Sequence, residues 1–186
     1  MSAKPQIKLD STETIFLPKF DIRSEEEAGA TLDHNLITNN FGGLLWQHLR
    51  GKKCRSFTSD MAVKVNIMKG NEEKYYTYPD VVVACEKAVF SKTKDGKCQI
   101  ENPTLIVEVL SENSQEDLTT KYEAYQQLES LCEYIVIYQD EDKVHYCVKI
   151  EDKWEEKDIQ GQDDTLWLSS VGLTIRLGEI YEKCER

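Results

Sequence analysis

The sequence predicts an α/β fold, a mixed β-sheet flanked by helices, and three observations carry that prediction. Two short runs, Val81-Val82-Val83-Ala84 and Leu105-Ile106-Val107-Glu108-Val109-Leu110, are nearly continuous in apolar residues. Central strands covered on both faces read this way. Before and after them lie segments with three- and four-residue apolar spacing, the period of a helix packed on one side. The order along the chain is helix, antiparallel strands, helix, further strands.

Residues 1–23 have no clear period, and Ile15, Phe16, Leu17 and Phe20 could pack against the core. Ser24 and Glu27 have the spacing of a capping box. From about residue 31 a helix is expected, because Leu32, Leu36, Phe41, Leu44, Leu45 and Leu49 form one stripe. Gly42 and Gly43 weaken it locally and permit a kink or close packing, and Gly51 stops it. Met61, Val63, Val65 and Ile67 alternate with polar residues, as in a half-buried strand. The stretch Lys69-Gly70-Asn71-Glu72-Glu73-Lys74 reads as a turn, and strand character returns at Tyr75. Strands follow near 80–85 and 104–110, then a helix over 115–131 with Ser114 and Asp117 at its cap. Residues 133–138 and 144–150 form a hairpin around Asp140-Glu141-Asp142. Trp154, 165–168 and 173–177 supply short strands, and a helix near 178–184 ends the sequence. No repeat or linker divides the 186 residues, so one domain is expected, with a core of about 30–180 and an N-terminal extension over 1–23.

Composition narrows the function. Hydrophobic residues make up 40% and charged residues 31%, which fits a globular core and not a disordered chain. No apolar run has the length of a membrane span, and the first residues lack the apolar segment of a secretory signal; a cytoplasmic protein is expected. Cys54, Cys85, Cys98, Cys132, Cys147 and Cys184 form no CxxC pair, and none sits beside a His at zinc-ligand spacing. They read as reduced core thiols, with neither a disulfide framework nor a zinc site. A net charge of −11 counts against a general nucleic-acid binder but not against a nuclease, whose metal cluster is itself acidic. The compact basic patch Arg50, Lys52, Lys53 and Arg55 reads first as a solvated helix end. Glu25, Glu26 and Glu27 read as a solvated helix start.

Three polar residues stand where apolar ones belong. Asp80 follows Pro79 at the start of an apolar strand; alone, it is a turn residue. Glu108 lies inside a central strand, where a charge must be paired or bound to a metal. Lys121 falls within the inward stripe of its helix, among Leu118, Tyr122, Tyr125 and Leu128, at about 100° per residue. Its ordinary reading is snorkelling, with the ammonium in water; its sharper reading is a carboxylate or phosphate partner. Together the three supply metal-assisted phosphodiester cleavage: Asp80 and Glu108 to hold Mg²⁺ or Mn²⁺, and Lys121 to position water or stabilise phosphate charge.

The ordered set Tyr78-Pro79-Asp80-Val81-Val82-Val83, Pro103-Thr104-Leu105-Ile106-Val107-Glu108-Val109-Leu110-Ser111, Asp117, Lys121, Tyr125 and Glu133-Tyr134-Ile135-Val136 resembles the Uma-two family of endonucleases. That family belongs to the PD-(D/E)xK nuclease superfamily, and the resemblance covers roughly residues 30–180. It implies a restriction-endonuclease-like core, a DNA substrate and a divalent metal. Asp80 and Glu108 would match the two motif acids. Where the superfamily places a Lys two residues after the second acid, this sequence has Leu110, and Lys121 is the natural substitute. The resemblance also marks His34, Asp60, Asp117 and Tyr125 as supporting residues; His34 and Asp60 read equally as a helix-start and a turn residue. Two readings compete with the enzyme. One is a catalytically silent nuclease fold acting as a binding or regulatory module. The other is a structural subunit in which Glu108 and Lys121 form a buried ion pair. Homodimerisation would suit a duplex substrate, and the sequence leaves the oligomeric state open.

Overall fold

A computed structural model describes residues 31–185 apart from 70–71, 94–95 and 111–114, and omits the side chains at 66–69, 72–75 and 115–120. The N-terminal segment with its Ser24–Glu27 box, Ser111, Ser114, and the side chains of Ile67, Asp117 and Leu118 lie outside the described residues.

In chain order the elements are α1 (Leu32–Leu49), β1 (Arg55–Thr58), β2 (Ala62–Lys69), β3 (Glu72–Thr77), β4 (Val81–Ala84), β5 (Phe90–Lys92), β6 (Cys98–Ile100) and β7 (Leu105–Leu110). There follow α2 (Gln115–Gln126), β8 (Glu133–Tyr138), β9 (Lys143–Ile150), β10 (Lys153–Gln160), β11 (Thr165–Leu168), β12 (Leu173–Arg176) and α3 (Leu177–Ile180). A six-stranded sheet runs β1-β4-β7-β8-β9-β10; a four-stranded sheet runs β3-β2-β6-β5; β11 and β12 form a ribbon. In the large sheet β7 and β8 are parallel, because α2 carries the chain back between them, and the other neighbours are antiparallel. The expected mixed sheet flanked by helices is thus present.

All four residues of β4 and all six of β7 are buried, as their apolar runs predict. Alternation divides them between two cores. Leu105, Val107 and Val109 meet Ile37, Phe41 and Leu45 of α1, together with Leu166 and Ile175 of the ribbon. Ile106 and Leu110 meet Ala124 and Tyr125 of α2, with Val63, Val65 and Ile100 of the smaller sheet. Thr31 caps α1, its hydroxyl accepting from the His34 N–H at 3.1 Å. Gly42 serves close packing: a Cβ there would lie 3.0 Å from the Thr58 methyl of β1. Gly51, at φ 73°, follows the helix end.

Several expectations are corrected. The second helix ends at Gln126, not at 131, because the N–H groups of Gln127, Leu128 and Leu131 close three-residue turns onto Ala124, Tyr125 and Leu128. Those turns bring buried Leu131 down to the start of β8. Strand β3 begins at Glu72, inside the stretch read as a turn, paired with β2. The short strands β1, β5 and β6 have too few residues to show a period. Strand β10 is a mostly exposed, charged edge of which only Trp154 stood out. The last helix covers Leu177–Ile180 alone. Cys54 and Cys85 are joined by a disulfide rather than being reduced thiols. The antiparallel register of β1 on β4 sets the two residues opposite each other, with Cα atoms 3.8 Å apart. Cys98, Cys132, Cys147 and Cys184 form no disulfide among the described residues.

Candidate active site

The register of β4 on β7 sets Val81 opposite Val107. One step further along this antiparallel pair, Asp80 falls opposite Glu108. Ile106 and Leu110 flank Glu108 by two residues and face α2; Glu108 therefore points into the same core. The carboxylate inside β7 and the Pro-Asp turn, far apart in sequence, meet across one strand pair.

Asp80 is held from two directions. Its Oδ2 accepts the Val109 N–H at 2.7 Å, and its Oδ1 lies 3.1 Å from Nε2 of His34. His34 stands in the first turn of α1, and both side chains are 17% exposed. The helix start is docked there because Thr31 hydrogen-bonds Gln139, whose amide donates to the Leu110 carbonyl. Nδ1 of His34 is buried without a hydrogen-bond partner among the described residues.

Glu108 is 5% exposed. Its Oε1 accepts the Tyr125 hydroxyl at 2.9 Å, and its Oε2 lies 3.3 Å from Nζ of Lys121. Both partners stand one helical turn apart on α2, on the inward stripe that the sequence indicated. Thr77, at the end of β3, completes the row, its hydroxyl 2.9 Å from that of Tyr125. Burial pushes the Glu108 carboxyl up to about 7, and the Asp80 charge adds to the rise; Lys121 and the Tyr125 hydroxyl oppose it. Burial, followed by the charge of Glu108, holds the Tyr125 hydroxyl well above its ordinary range, so it remains a donor.

The structure thus gathers Asp80, Glu108, Lys121, Tyr125 and His34. Leu110 occupies the face beside Glu108, as its spacing implies. Asp60 is exposed in the turn before β2; that turn borders the site through the Ser59 N–H, which donates to the Asp80 carbonyl at 2.9 Å. The backbone of Asp117 lies in the first turn of α2. The basic patch begins at the other end of α1, about 24 Å from His34 at 1.5 Å per residue. There Lys53 pairs with Glu86 at 2.7 Å, and Arg50 sits over the Trp46 ring at 5.0 Å. Thr77 was not legible in the sequence: a Thr at a strand end carries no periodic signal.

Comparison with known proteins agrees with this fold. The profile of the Uma2 family, described as "Putative restriction endonuclease", matches residues 23–178. Two uncharacterized proteins of Synechocystis sp., sll1609 and slr1290, are similar. The first is 32% identical over 138 residues, 73% of this chain and 74% of the relative. The second is 27% identical over 164 residues, 87% and 81% respectively. The crystal structure of "a putative nuclease belonging to DUF820" from Anabaena variabilis superposes with a TM-score of 0.61, at 16% identity, over 83% of each chain. That likeness establishes a shared fold. With the family profile spanning most of the sequence, the chain belongs to the Uma2 family of restriction-endonuclease-like proteins.

Proposed function

We propose that this protein is a metal-dependent endonuclease that hydrolyses DNA phosphodiester bonds at Asp80, Glu108 and Lys121. The observation that carries the reading is the pairing of two acids across β4 and β7, with the Lys121 ammonium 3.3 Å from the second. Two carboxylates that repel each other, one buried enough to be raised to about 7, make a place short of positive charge. An all-oxygen donor pair of this kind suits a hard cation, Mg²⁺ or Mn²⁺. When bound between Asp80 and Glu108, such an ion supplies Lewis acidity toward a phosphate oxygen and a bound water of lowered pKa.

The chain's own groups do the rest. Val109 N–H and His34 fix the Asp80 carboxylate, and Tyr125, backed by Thr77, fixes that of Glu108. Lys121, 23% exposed at its side chain, presents a positive charge where a phosphate oxygen gains negative charge in the transition state. A Lys on α2 thereby serves in place of the one that Leu110 excludes from β7. A duplex has two strands, so two copies acting together fit this activity.

The test is cleavage of plasmid and single-stranded DNA with Mg²⁺ or Mn²⁺, beside Asp80→Ala, Glu108→Ala and Lys121→Ala. Wild type should cut, and each variant should lose at least about 10²-fold in rate, the scale of removing one preorganised charge. Cleavage that survives all three variants would place the activity elsewhere. A net charge of −11 and a basic patch far from the acids favour a second reading, a catalytically silent binding or regulatory module. Absence of both cleavage and calorimetric metal binding would select it.

A further inference from the structure

We propose that His145, Cys147 and Glu156, on the β9–β10 hairpin, form a second metal site that takes a zinc-class divalent cation in preference to Mg²⁺, with Asp158 and Tyr122 holding two of the ligands in place. The inference stands independently of the nuclease reading.

The register builds the cluster. Cys147 lies opposite Glu156, and His145 lies opposite Asp158. Residues two apart on a strand share a face, and Cys147 belongs to the core on the α2 side. One ligand atom each from His145, Cys147 and Glu156 lie within 4.8 Å of one another. A tetrahedral ion with bonds of about 2.0–2.3 Å needs ligand atoms about 3.3–3.6 Å apart. His145 Nε2 and Glu156 Oε2 are already 3.5 Å apart. Closing the rest takes rotation of the Glu156 side chain, which is 44% exposed.

The surroundings of these ligands point to a cation as well. Nδ1 of His145 is 2.7 Å from Asp158 Oδ1, so its N–H is donated there. That directs Nε2 at the Glu156 carboxylate, 3.5 Å away, where a proton or a metal cation would join the two atoms. A His whose second nitrogen is held by a carboxylate is the usual arrangement around a bound metal. On the other side, the Tyr122 hydroxyl donates to Glu156 Oε1 at 2.7 Å, leaving Oε2 for the ion, and also contacts the Cys147 thiol. A ligand set of one sulfur, one nitrogen and one oxygen matches the borderline softness of Zn²⁺ and not the hardness of Mg²⁺. With three protein ligands and an exposed rim, the fourth position is open.

The cluster shares the sheet face of Glu108. Glu108 lies beside Val136, which lies beside His145, so Glu108 and His145 are two strands apart, about 10 Å. Tyr122 follows Lys121 on α2. Its hydroxyl, bonded to Glu156, ties α2 to the hairpin beside the cluster.

The experiment uses the full chain, stripped with a chelator and titrated with Co²⁺. One Co²⁺ should give a thiolate-to-cobalt charge-transfer band in the near ultraviolet, displaced by Zn²⁺ and unaffected by excess Mg²⁺. Cys147→Ser should abolish the band, His145→Gln and Glu156→Gln should weaken binding at least 10-fold, and Asp158→Asn about 10–100-fold. Glu108→Gln and Cys98→Ser should retain it. No band, a band that persists in Cys147→Ser, or displacement by Mg²⁺ overturns the proposal. If Cys147→Ser does not fold, Glu156→Gln on the exposed edge decides: unchanged affinity in a variant folded by circular dichroism overturns the proposal equally.

Discussion

Glu108 and Glu133 are both buried carboxylates on neighbouring parallel strands, and they live in opposite circumstances. Glu133, fully buried at the start of β8, accepts from the N–H and hydroxyl of Ser169, the N–H and hydroxyl of Ser170, and the Tyr146 hydroxyl. Every one of those donors is neutral. They tie the turn between β11 and β12 to the large sheet, on the α1 face. Glu108 has one hydroxyl, one ammonium and a like-charged neighbour across the strand pair. A buried carboxylate saturated with neutral hydrogen bonds is a fastening; one set beside a second carboxylate and an ammonium is a place for ion chemistry.

The largest effect is expected from breaking the fastening. Glu133→Ala removes a charged acceptor and strands several buried donors, each such bond contributing about 1.5–3 kcal/mol. Because they share one carboxylate they do not add, and a loss of about 3–4 kcal/mol in urea unfolding is expected. Metal binding by the remaining folded molecules should be unchanged. A loss below about 1 kcal/mol would mean the ribbon is held instead by the apolar contacts of its own Leu166 and Ile175 with the core.

Glu108 should respond to pH rather than resist truncation. Without metal, its folded carboxyl releases its proton near pH 7, against an ordinary value of 4.5. Between those values the folded state holds more protons than the unfolded state. Stability from this group is therefore fully present below pH 4.5 and is lost as pH rises through about 7. The gap corresponds to about 3 kcal/mol. Glu108→Gln, which cannot ionise, should lack this slope, so the wild-type-minus-variant difference should fall by that amount between pH 4.5 and 7. Parallel curves would show that Glu108 is ionised throughout, as a simple buried ion pair with Lys121 would be.

How much of this was legible in the sequence follows from what each feature depends on. Glu108 and Lys121 stood out because local periodicity fixes a side chain's face, and each is a charge on an apolar face. Their partnership with Asp80 needed the strand register, which no local pattern encodes; the family resemblance supplied it. Glu133 heads an apolar run too, yet its partners Ser169 and Ser170 lie on a distant turn with no periodic signal. The disulfide was missed for the same reason, since Cys54 and Cys85 meet only through the pairing of β1 with β4. His145 and Cys147 escaped a search for zinc spacing because a strand places ligands two residues apart, and Glu156 joins them only across the hairpin.

The finest separation of the two carboxylates comes from one hydroxyl each. Tyr125→Phe takes away one of the two side-chain donors to Glu108 and leaves Thr77 facing a ring edge. Tyr146→Phe takes away one donor of Glu133 and leaves both serines in place. A bond to a charged acceptor contributes about 1.5–3 kcal/mol and one to a neutral acceptor about 0.5–1.5 kcal/mol. Tyr125→Phe should therefore destabilise by about 1 kcal/mol near pH 5, where Glu108 carries its proton, and by about 2 kcal/mol near pH 8, where it does not. The same loss of a donor favours the protonated form, so the Glu108 transition should move to higher pH. Tyr146→Phe should cost about 1.5 kcal/mol at both pH values, the low end of the range for a charged acceptor, because the two serines still satisfy the carboxylate. Urea unfolding of both variants at the two pH values reads these differences directly. Equal costs for Tyr125→Phe at both values would detach the hydroxyl from the charge of Glu108 and leave Lys121 as its sole support.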